Sequence, residues 1–389
     1  MRFRPKVWTT ALLAFCSTSN LAYATGASRE SIKAVVDSVI EPLKQQYRIP
    51  GVAAGIIAEG RAYVFNYGVA SLQTKEAVTD DTLFELGSVT KTFTATLASY
   101  AQVKGYLSLS DTTGKYLPAL QGSKFGNVTL LELATHTTGG LPLQVPDDVR
   151  SDDQLMAYLK QWVPSHVPGK YRTYSNISIG LLGLVTAKSA NRTFEALMTQ
   201  DLFSPLGLTS TYIDVPPAQT ANYAQGYTAD GSPVRLAPRL LWSEAYGIRA
   251  TAADVLVFLE ANMKMLTLGA ELQRAITETH RGYFKSGSLT QDLIWEQYPK
   301  PVKLKALLKG NSRAMLFGTM PAAALTPPEP PRNDVWIDKT GSTNGFGAYV
   351  AFVPERRSGI VILTNRNVPI AARVRAAYAI MGSLGGSPL

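Results

Sequence analysis

Thiols are almost absent from this chain: its 389 residues include one cysteine, Cys16. That cysteine lies in an N-terminal stretch expected to be removed, so the mature chain would have none. A disulfide framework, a zinc-thiolate site and a cysteine nucleophile are thereby excluded together. Histidine is nearly as scarce. His136, His166 and His280 are far apart and form no metal-like pair, which argues against a metallohydrolase. No metal or other cofactor is expected. Long hydrophobic runs are missing too: no eighteen consecutive apolar residues occur, so nothing reads as a membrane span. Acidic residues are outnumbered, 29 against 38 lysines and arginines, for a formal charge of +9. The basic residues are scattered, without a basic run interleaved with aromatics and without a nucleic-acid motif. The excess reads as a general attraction for small anions, and no nucleic-acid partner is expected.

What is present begins with a leader. Arg2, Arg4 and Lys6 precede an apolar stretch from Val7 to Phe15, and Ala22-Tyr23-Ala24 offers a small-x-small cleavage site. This is the layout of a secretory signal over residues 1–24, set apart from the fold, with a periplasmic destination. Phe15 is a poor residue to precede a lipidated cysteine, so no membrane anchor is expected at Cys16.

Residues 25–389 read as one large domain. Ile32, Val35, Val36, Val39, Ile40 and Leu43 form a helical stripe between Ser28 and Gln46. Val52 to Ile57 and Ala62 to Tyr67 read as a hairpin through Glu59-Gly60. Strands are expected again at Val335–Asp338, Phe346–Phe352 and Gly359–Thr364, then a helix from Ala371 to Met381. The pattern predicts an α/β (α+β) fold in which one antiparallel sheet is built from both chain ends and flanked by the terminal helices. The α/β part would take residues 25–85 and 300–389, and a mainly helical part 86–299. Pro327-Pro328-Glu329-Pro330-Pro331 reads as a rigid connector returning the chain to the sheet. A cleft is expected where the two parts meet.

Three short motifs carry chemistry. Ser88-Val89-Thr90-Lys91 opens a segment with Phe93, Leu97, Ala98 and Ala101 at helical spacing. About one Ser-x-x-Lys match is expected by chance in a chain this long, so the setting matters more than the pattern. In the first turn of a helix, residues three apart share a face, bringing the Lys91 ammonium beside the Ser88 hydroxyl. A buried lysine tends toward a lowered pKa, as a general base requires. The bland alternative is a capping serine with a lysine that reaches out to water. Tyr174-Ser175-Asn176 lies between the loop Pro168-Gly169-Lys170 and the apolar run Ile177 to Val185, with Asn176 a plausible N-cap. A tyrosine serves as a base only well below its usual pKa of ~10. One cation about 4 Å away is worth roughly 4 kcal/mol at an effective dielectric of ~20, or about three pKa units before desolvation. Two nearby lysines would bring a tyrosine into range. Lys339-Thr340-Gly341-Ser342 ends a predicted strand, where exposed backbone groups can pair with an extended substrate.

In this order, Ser88-x-x-Lys91, Tyr174-Ser175-Asn176 and Lys339-Thr340-Gly341 resemble the penicillin-recognising serine enzymes, and the tyrosine motif resembles the class C β-lactamases, the cephalosporinases. The resemblance spans essentially all of residues 25–389. It includes Phe84-Glu85-Leu86-Gly87, His136-Thr137-Thr138-Gly139-Gly140-Leu141-Pro142, Gln144-Val145-Pro146 and Glu244-Ala245-Tyr246-Gly247. It implies a β-lactamase/transpeptidase-like fold, a small-molecule β-lactam substrate and no cofactor; the sequence leaves the oligomeric state open, with a monomer as the default expectation. It further implies that Ser88 is acylated, with an oxyanion hole from the backbone N–H groups of Ser88 and Ser342. Lys91 and Tyr174 would share the acid and base roles, with the first proton acceptor left open between them. Lys339 would supply a second cation. Gln144 and Asn176 would hold the acyl side-chain amide, and Tyr246 would wall its pocket. Lys339, Thr340, Ser342, Asn367 and Arg373 would surround the substrate carboxylate, and Gly341 would leave room where the substrate must approach.

The chain departs from the family at Asp292-Leu293-Ile294-Trp295, where Gly-Leu-Gly-Trp is common; two lost glycines would stiffen that segment. Ile370 occupies a position that varies between polar and apolar. His136 reads as a hydrogen-bonded structural residue and not as a catalyst. The rival readings are a D,D-peptidase trapped as its acyl-enzyme, a β-lactamase-like esterase, and an inactive binding domain on the same fold.

Overall fold

The computed structural model describes residues 28–385, so the leader, with Arg2, Cys16 and Ala24, lies outside the described residues. Helix α1 (Arg29–Gln46) is capped by Ser28, whose side chain accepts from the Ser31 N–H, and it buries Ile32, Val36, Ile40 and Leu43. Strands β1 (Gly51–Ala58) and β2 (Arg61–Gly68) form the expected hairpin through Glu59-Gly60. Both turn residues have positive φ, which matches the twist of the flanking strands.

The remaining strands of the main sheet are β3 (Gly282–Ser286), β4 (Leu289–Gln291), β5 (Glu296–Pro299), β6 (Ala323–Glu329), β7 (Val335–Ser342), β8 (Gly347–Val353) and β9 (Ser358–Thr364). All nine pair antiparallel in the order β6-β3-β4-β5-β7-β8-β9-β1-β2. Both chain ends therefore meet in one sheet, with β1 lying against β9.

Three expectations need correcting. Residues 282–299 belong to the sheet, although the mainly helical part was expected to run to 299; polar residues hid β4 and β5, which are buried on both faces but for Pro299, and β3, which alternates between buried and half-buried. The proline-rich stretch is no connector for most of its length, because Ala323–Glu329 is the edge strand β6. An edge tolerates proline, since half of its backbone groups have no ladder partner to lose. Strand β7 runs on to Ser342, four residues beyond the expected Asp338, so Lys339-Thr340-Gly341-Ser342 forms its last four residues and does not follow it.

Alternation along the strands splits the sheet between two cores. Val52, Ala54 and Ile56 pack with Trp336, Tyr349, Ile360 and Ile362 under α1 and the C-terminal helix. Ala53, Ile57, Ile337, Val350, Val361 and Leu363 face the other way, onto helical residues such as Phe93, Leu256 and Phe258. A third core fills the helical part. Helix α2 (Thr90–Val103) joins this last region to the sheet. It is buried on every side, and Thr92 and Thr96 satisfy their hydroxyls on the carbonyls of Val89 and Thr92.

Candidate active site

Ser88 sits in a 3-10 turn, Gly87–Val89, that runs directly into α2. The turn packs against the end of β7 with no room for side chains between them. A Cβ on Gly87, which has φ +52°, would lie 2.5 Å from the Ser342 backbone nitrogen. One on Gly341 would run into the Leu86 carbonyl oxygen. These two glycines are therefore required for the approach itself, which draws the backbone of the nucleophile turn beside that of Ser342.

Lys91 follows one helical turn on. Its Nζ donates to Ser88 Oγ (2.8 Å) and to the carbonyl of Ala245 (2.7 Å). That carbonyl belongs to a short helix, α3 (Trp242–Tyr246), whose last residue presents its ring 6.0 Å from the same ammonium. Lys91 is fully buried, and burial brings its pKa down to about 8, with Lys339 adding to the fall and Tyr174 opposing it.

Tyr174 lies between two lysines. Its ring centroid is 5.3 Å from Lys91 Nζ and 5.2 Å from Lys339 Nζ. Burial alone would push this phenol up. The charges of Lys339 and Lys91, and the nearby Ser88 hydroxyl, outweigh it and bring the pKa to about 8. The Tyr174 hydroxyl is buried and makes no hydrogen bond of good geometry, although Ser88 and Lys91 are close enough to act on it. Two groups whose pKa values are both lowered toward neutrality and that face one hydroxyl can pass a proton at little cost.

Ser175, not Asn176, is the N-cap of the helix Asn176–Ser189: its side chain accepts from the Ser178 N–H and donates to the Pro142 carbonyl. Asn176 is thereby freed to face the cleft, where its Oδ1 has no partner. Beside Ser88 a cavity of about 140 Å³ is lined by Gln144, Tyr174, Asn176, Thr340, Gly341 and Ser342, and also by Leu143, Leu316, Phe317 and Ile370. A second hollow of about 550 Å³ runs from Gln144 and Tyr246 toward the outside.

Three expected carboxylate contacts do not line this cavity: Lys339 borders an adjoining hollow with Tyr174 and Thr340, and Arg373 and Asn367 lie elsewhere. Arg373 is fully buried and braces β7, donating to the Gly341 and Ala348 carbonyls and to Ser342 Oγ (2.8 Å). Burial pushes its pKa down to about 9. Asn367 is exposed in the turn after β9 and does not line the cavity. Both follow from chain geometry: the helix Ile370–Leu384 packs its first turns into the sheet and carries Arg373 behind the strand.

The structure adds a residue that sequence reasoning missed. Arg172, buried on the short strand Tyr171–Thr173, places its guanidinium 5.6 Å from the Tyr174 ring centroid. It pairs with Glu296 (2.7 Å) and donates to Gln291 Oε1 and the Met315 carbonyl. Only its closeness to the tyrosine in sequence could have drawn notice. His136 lies 4.4 Å from the Tyr174 ring, and its Nδ1 meets Ser178 Oγ and the Ser175 N–H. Burial and the charges of Arg172, Lys91 and Lys339 hold it well below its usual pKa, so it is a neutral packing partner. In the Asp292–Trp295 segment, Leu293 and Ile294 are buried in the third core, and Ile294 adopts φ +68° where a glycine would be unstrained. Among the described residues no cluster of histidine, cysteine or acid side chains could hold a metal ion.

Comparison with known proteins gives a single family. The β-lactamase family model matches residues 36–384. A β-lactamase of Lysobacter lactamgenus is 49% identical over 379 residues, covering 96% of this chain and 98% of the relative. Among solved structures, a class C β-lactamase in complex with cefoxitin superposes with a TM-score of 0.89 at 49% identity, over 91% of this chain and 99% of that one. A D-alanine carboxypeptidase AmpC from Burkholderia cenocepacia gives 0.89 at 56%, over 92% and 100%.

Proposed function

The chain belongs to the β-lactamase family, and from that premise we propose that it hydrolyses β-lactam antibiotics, cephalosporins especially, as a class C enzyme acylated at Ser88. The observation that carries this is the buried trio in which Lys91 Nζ donates to Ser88 Oγ while Tyr174 lies between two lysines.

Ser88 Oγ attacks the lactam carbonyl carbon and its proton passes to the Lys91–Tyr174 pair. The carbonyl oxygen becomes anionic and is held by the backbone N–H groups of Ser88 and Ser342, a contribution worth several kcal/mol in such sites. The C–N bond breaks, and the leaving nitrogen takes the proton from the pair. Tyr174, flanked by two ammoniums, then accepts a proton from water as the water attacks the ester. Breaking the ester returns the proton to Ser88 Oγ and releases a ring-opened acid. Gln144 and Asn176 hold the side-chain amide, Tyr246 walls the acyl pocket, and Lys339, Thr340 and Ser342 bind the substrate carboxylate. Arg373 acts through Ser342 and the β7 backbone. The catalytic unit is a monomer comprising residues 25–389. Residues 1–24 are its export signal, so a periplasmic enzyme should begin at Thr25 on N-terminal sequencing.

The test is mass spectrometry of the purified protein mixed with a cephalosporin, with ring opening followed in the ultraviolet. Rapid multiple turnover with transient mass on the Ser88 peptide is expected, and Ser88→Ala should abolish both. A stable one-to-one adduct with little turnover would overturn the β-lactamase reading in favour of a D,D-peptidase.

A further inference from the structure

The acyl side-chain pocket carries a charge pattern that the catalytic chemistry does not use. The hollow of about 550 Å³ that starts at Gln144 and Tyr246 has a largely polar wall, with an apolar patch from Val149, Pro238 and Leu240. Its other lining residues include two arginines, Arg150 and Arg239, and one acid, Asp147. The two guanidiniums are not neutralised by that acid. Arg239 meets Asp147 at 3.5 Å, but the two side chains are 70% and 94% exposed, so the pair contributes little and is readily exchanged. Arg150 uses its Nε on the Asp147 carbonyl oxygen (3.2 Å). Among the described residues no carboxylate lies within ion-pair distance of it. Asp148 precedes it and Asp152 and Asp153 follow it in the chain, but none of the three lines the hollow.

A ligand matching this wall has an apolar stem and an anionic end. Guanidinium groups favour carboxylates because two parallel N–H donors meet two oxygens. We propose that the acyl pocket selects β-lactams whose acyl side chain ends in a carboxylate, with Arg150 and Arg239 as the residues that receive it. The inference rests on the β-lactamase reading and names a substrate class within it. Because both arginines are solvated, the preference is modest and sensitive to salt, unlike a buried charge pair.

The experiment compares two cephalosporins that share a nucleus and differ only at the tip of a 7-adipoylamido side chain, one ending in the free carboxylate and the other in the neutral carboxamide. The carboxylate is expected to have a kcat/KM about five-fold higher at low ionic strength, mostly through KM, with the ratio falling toward one in about 0.5 M salt. The double variant Arg150→Gln/Arg239→Gln should bring the ratio of the two substrates to about one. Equal kcat/KM for the pair in the unaltered enzyme, or a preference that survives the double variant, would overturn the proposal while leaving the parent activity standing. Turnover of neither compound would instead break the β-lactamase reading itself, and this proposal with it.

Discussion

Two arginine–carboxylate pairs border the same cleft under opposite conditions. Beneath Tyr174, Arg172 and Glu296 meet at 2.7 Å with side chains 2% and 5% exposed. At the mouth of the acyl pocket, Arg239 and Asp147 meet at 3.5 Å with side chains 70% and 94% exposed. The first pair sits in a low dielectric, where charges act strongly on their neighbours and an unpaired one is costly. The second is screened by water and salt. The comparison assigns separate tasks to the two regions. A dry floor can shift the pKa values of Lys91 and Tyr174 by units and hold them there, so the chemistry belongs to it. A wet rim can sort substrates only by small differences.

Losing the Tyr174 hydroxyl should have the greatest consequence. Tyr174→Phe keeps the ring against His136 and removes the hydroxyl, and should lower kcat roughly 10²- to 10⁴-fold. Because the floor serves every substrate, single-turnover acylation and steady-state deacylation should both slow, by similar factors for penicillins and cephalosporins. Unchanged rates would remove the phenol from the mechanism. Next comes stability. Glu296→Ala leaves the Arg172 guanidinium buried without its carboxylate and should cost about 3–5 kcal/mol in urea unfolding. Asp147→Ala at the rim should stay within about 0.5 kcal/mol. Comparable losses would show that burial does not separate the two pairs.

The pH profile sharpens the contrast. Lys339 lowers the pKa of both Lys91 and Tyr174, so removing its charge lets both rise above about 8. Both groups must shed a proton to act as a base, and activity is therefore lost as pH falls through their pKa values. Lys339→Ala should move the acid limb of kcat/KM to higher pH, by on the order of one unit, alongside a loss of about 10²-fold. A substrate-binding role alone would raise KM and leave the limb in place.

The floor was half legible in the sequence. Ser88, Lys91, Tyr174 and Lys339 sit in short motifs, and local spacing was enough to put Ser88 and Lys91 on one face. Arg172 and Glu296 are 124 residues apart and belong to no motif. Their pairing depends on how β5 and the strand Tyr171–Thr173 fold together, which no local pattern encodes. The same limit hid the strands at 282–299, because a polar segment buried by sheet neighbours looks like a loop to any rule based on alternation. Arg373 shows a different limit. Its identity as a cation near the last strand was plain, but its depth was not: the guanidinium is fully buried and donates to Ser342 Oγ.

The smallest effect is expected at the rim on the other side of Ser88, and it separates the two regions most cleanly. Phe317 ends the short helix Arg313–Phe317, is 58% exposed, and lines the smaller cavity with Leu316 and Ile370 beside Ser342. With the carboxylate of the nucleus at Thr340 and Ser342, an apolar substituent next to that carboxylate would lie against this ring. A half-exposed phenyl removes only part of its surface from water on binding, so Phe317→Ala should reduce kcat/KM for such cephalosporins about two- to five-fold. Compounds without the substituent should change less. The acid limb should stay where it is, because the ring carries no charge and lies outside the buried set that tunes Lys91 and Tyr174. If the limb moved with this substitution, the water-filled rim would be coupled to the floor, and the division of labour between dry and wet charges would fail at its weakest point.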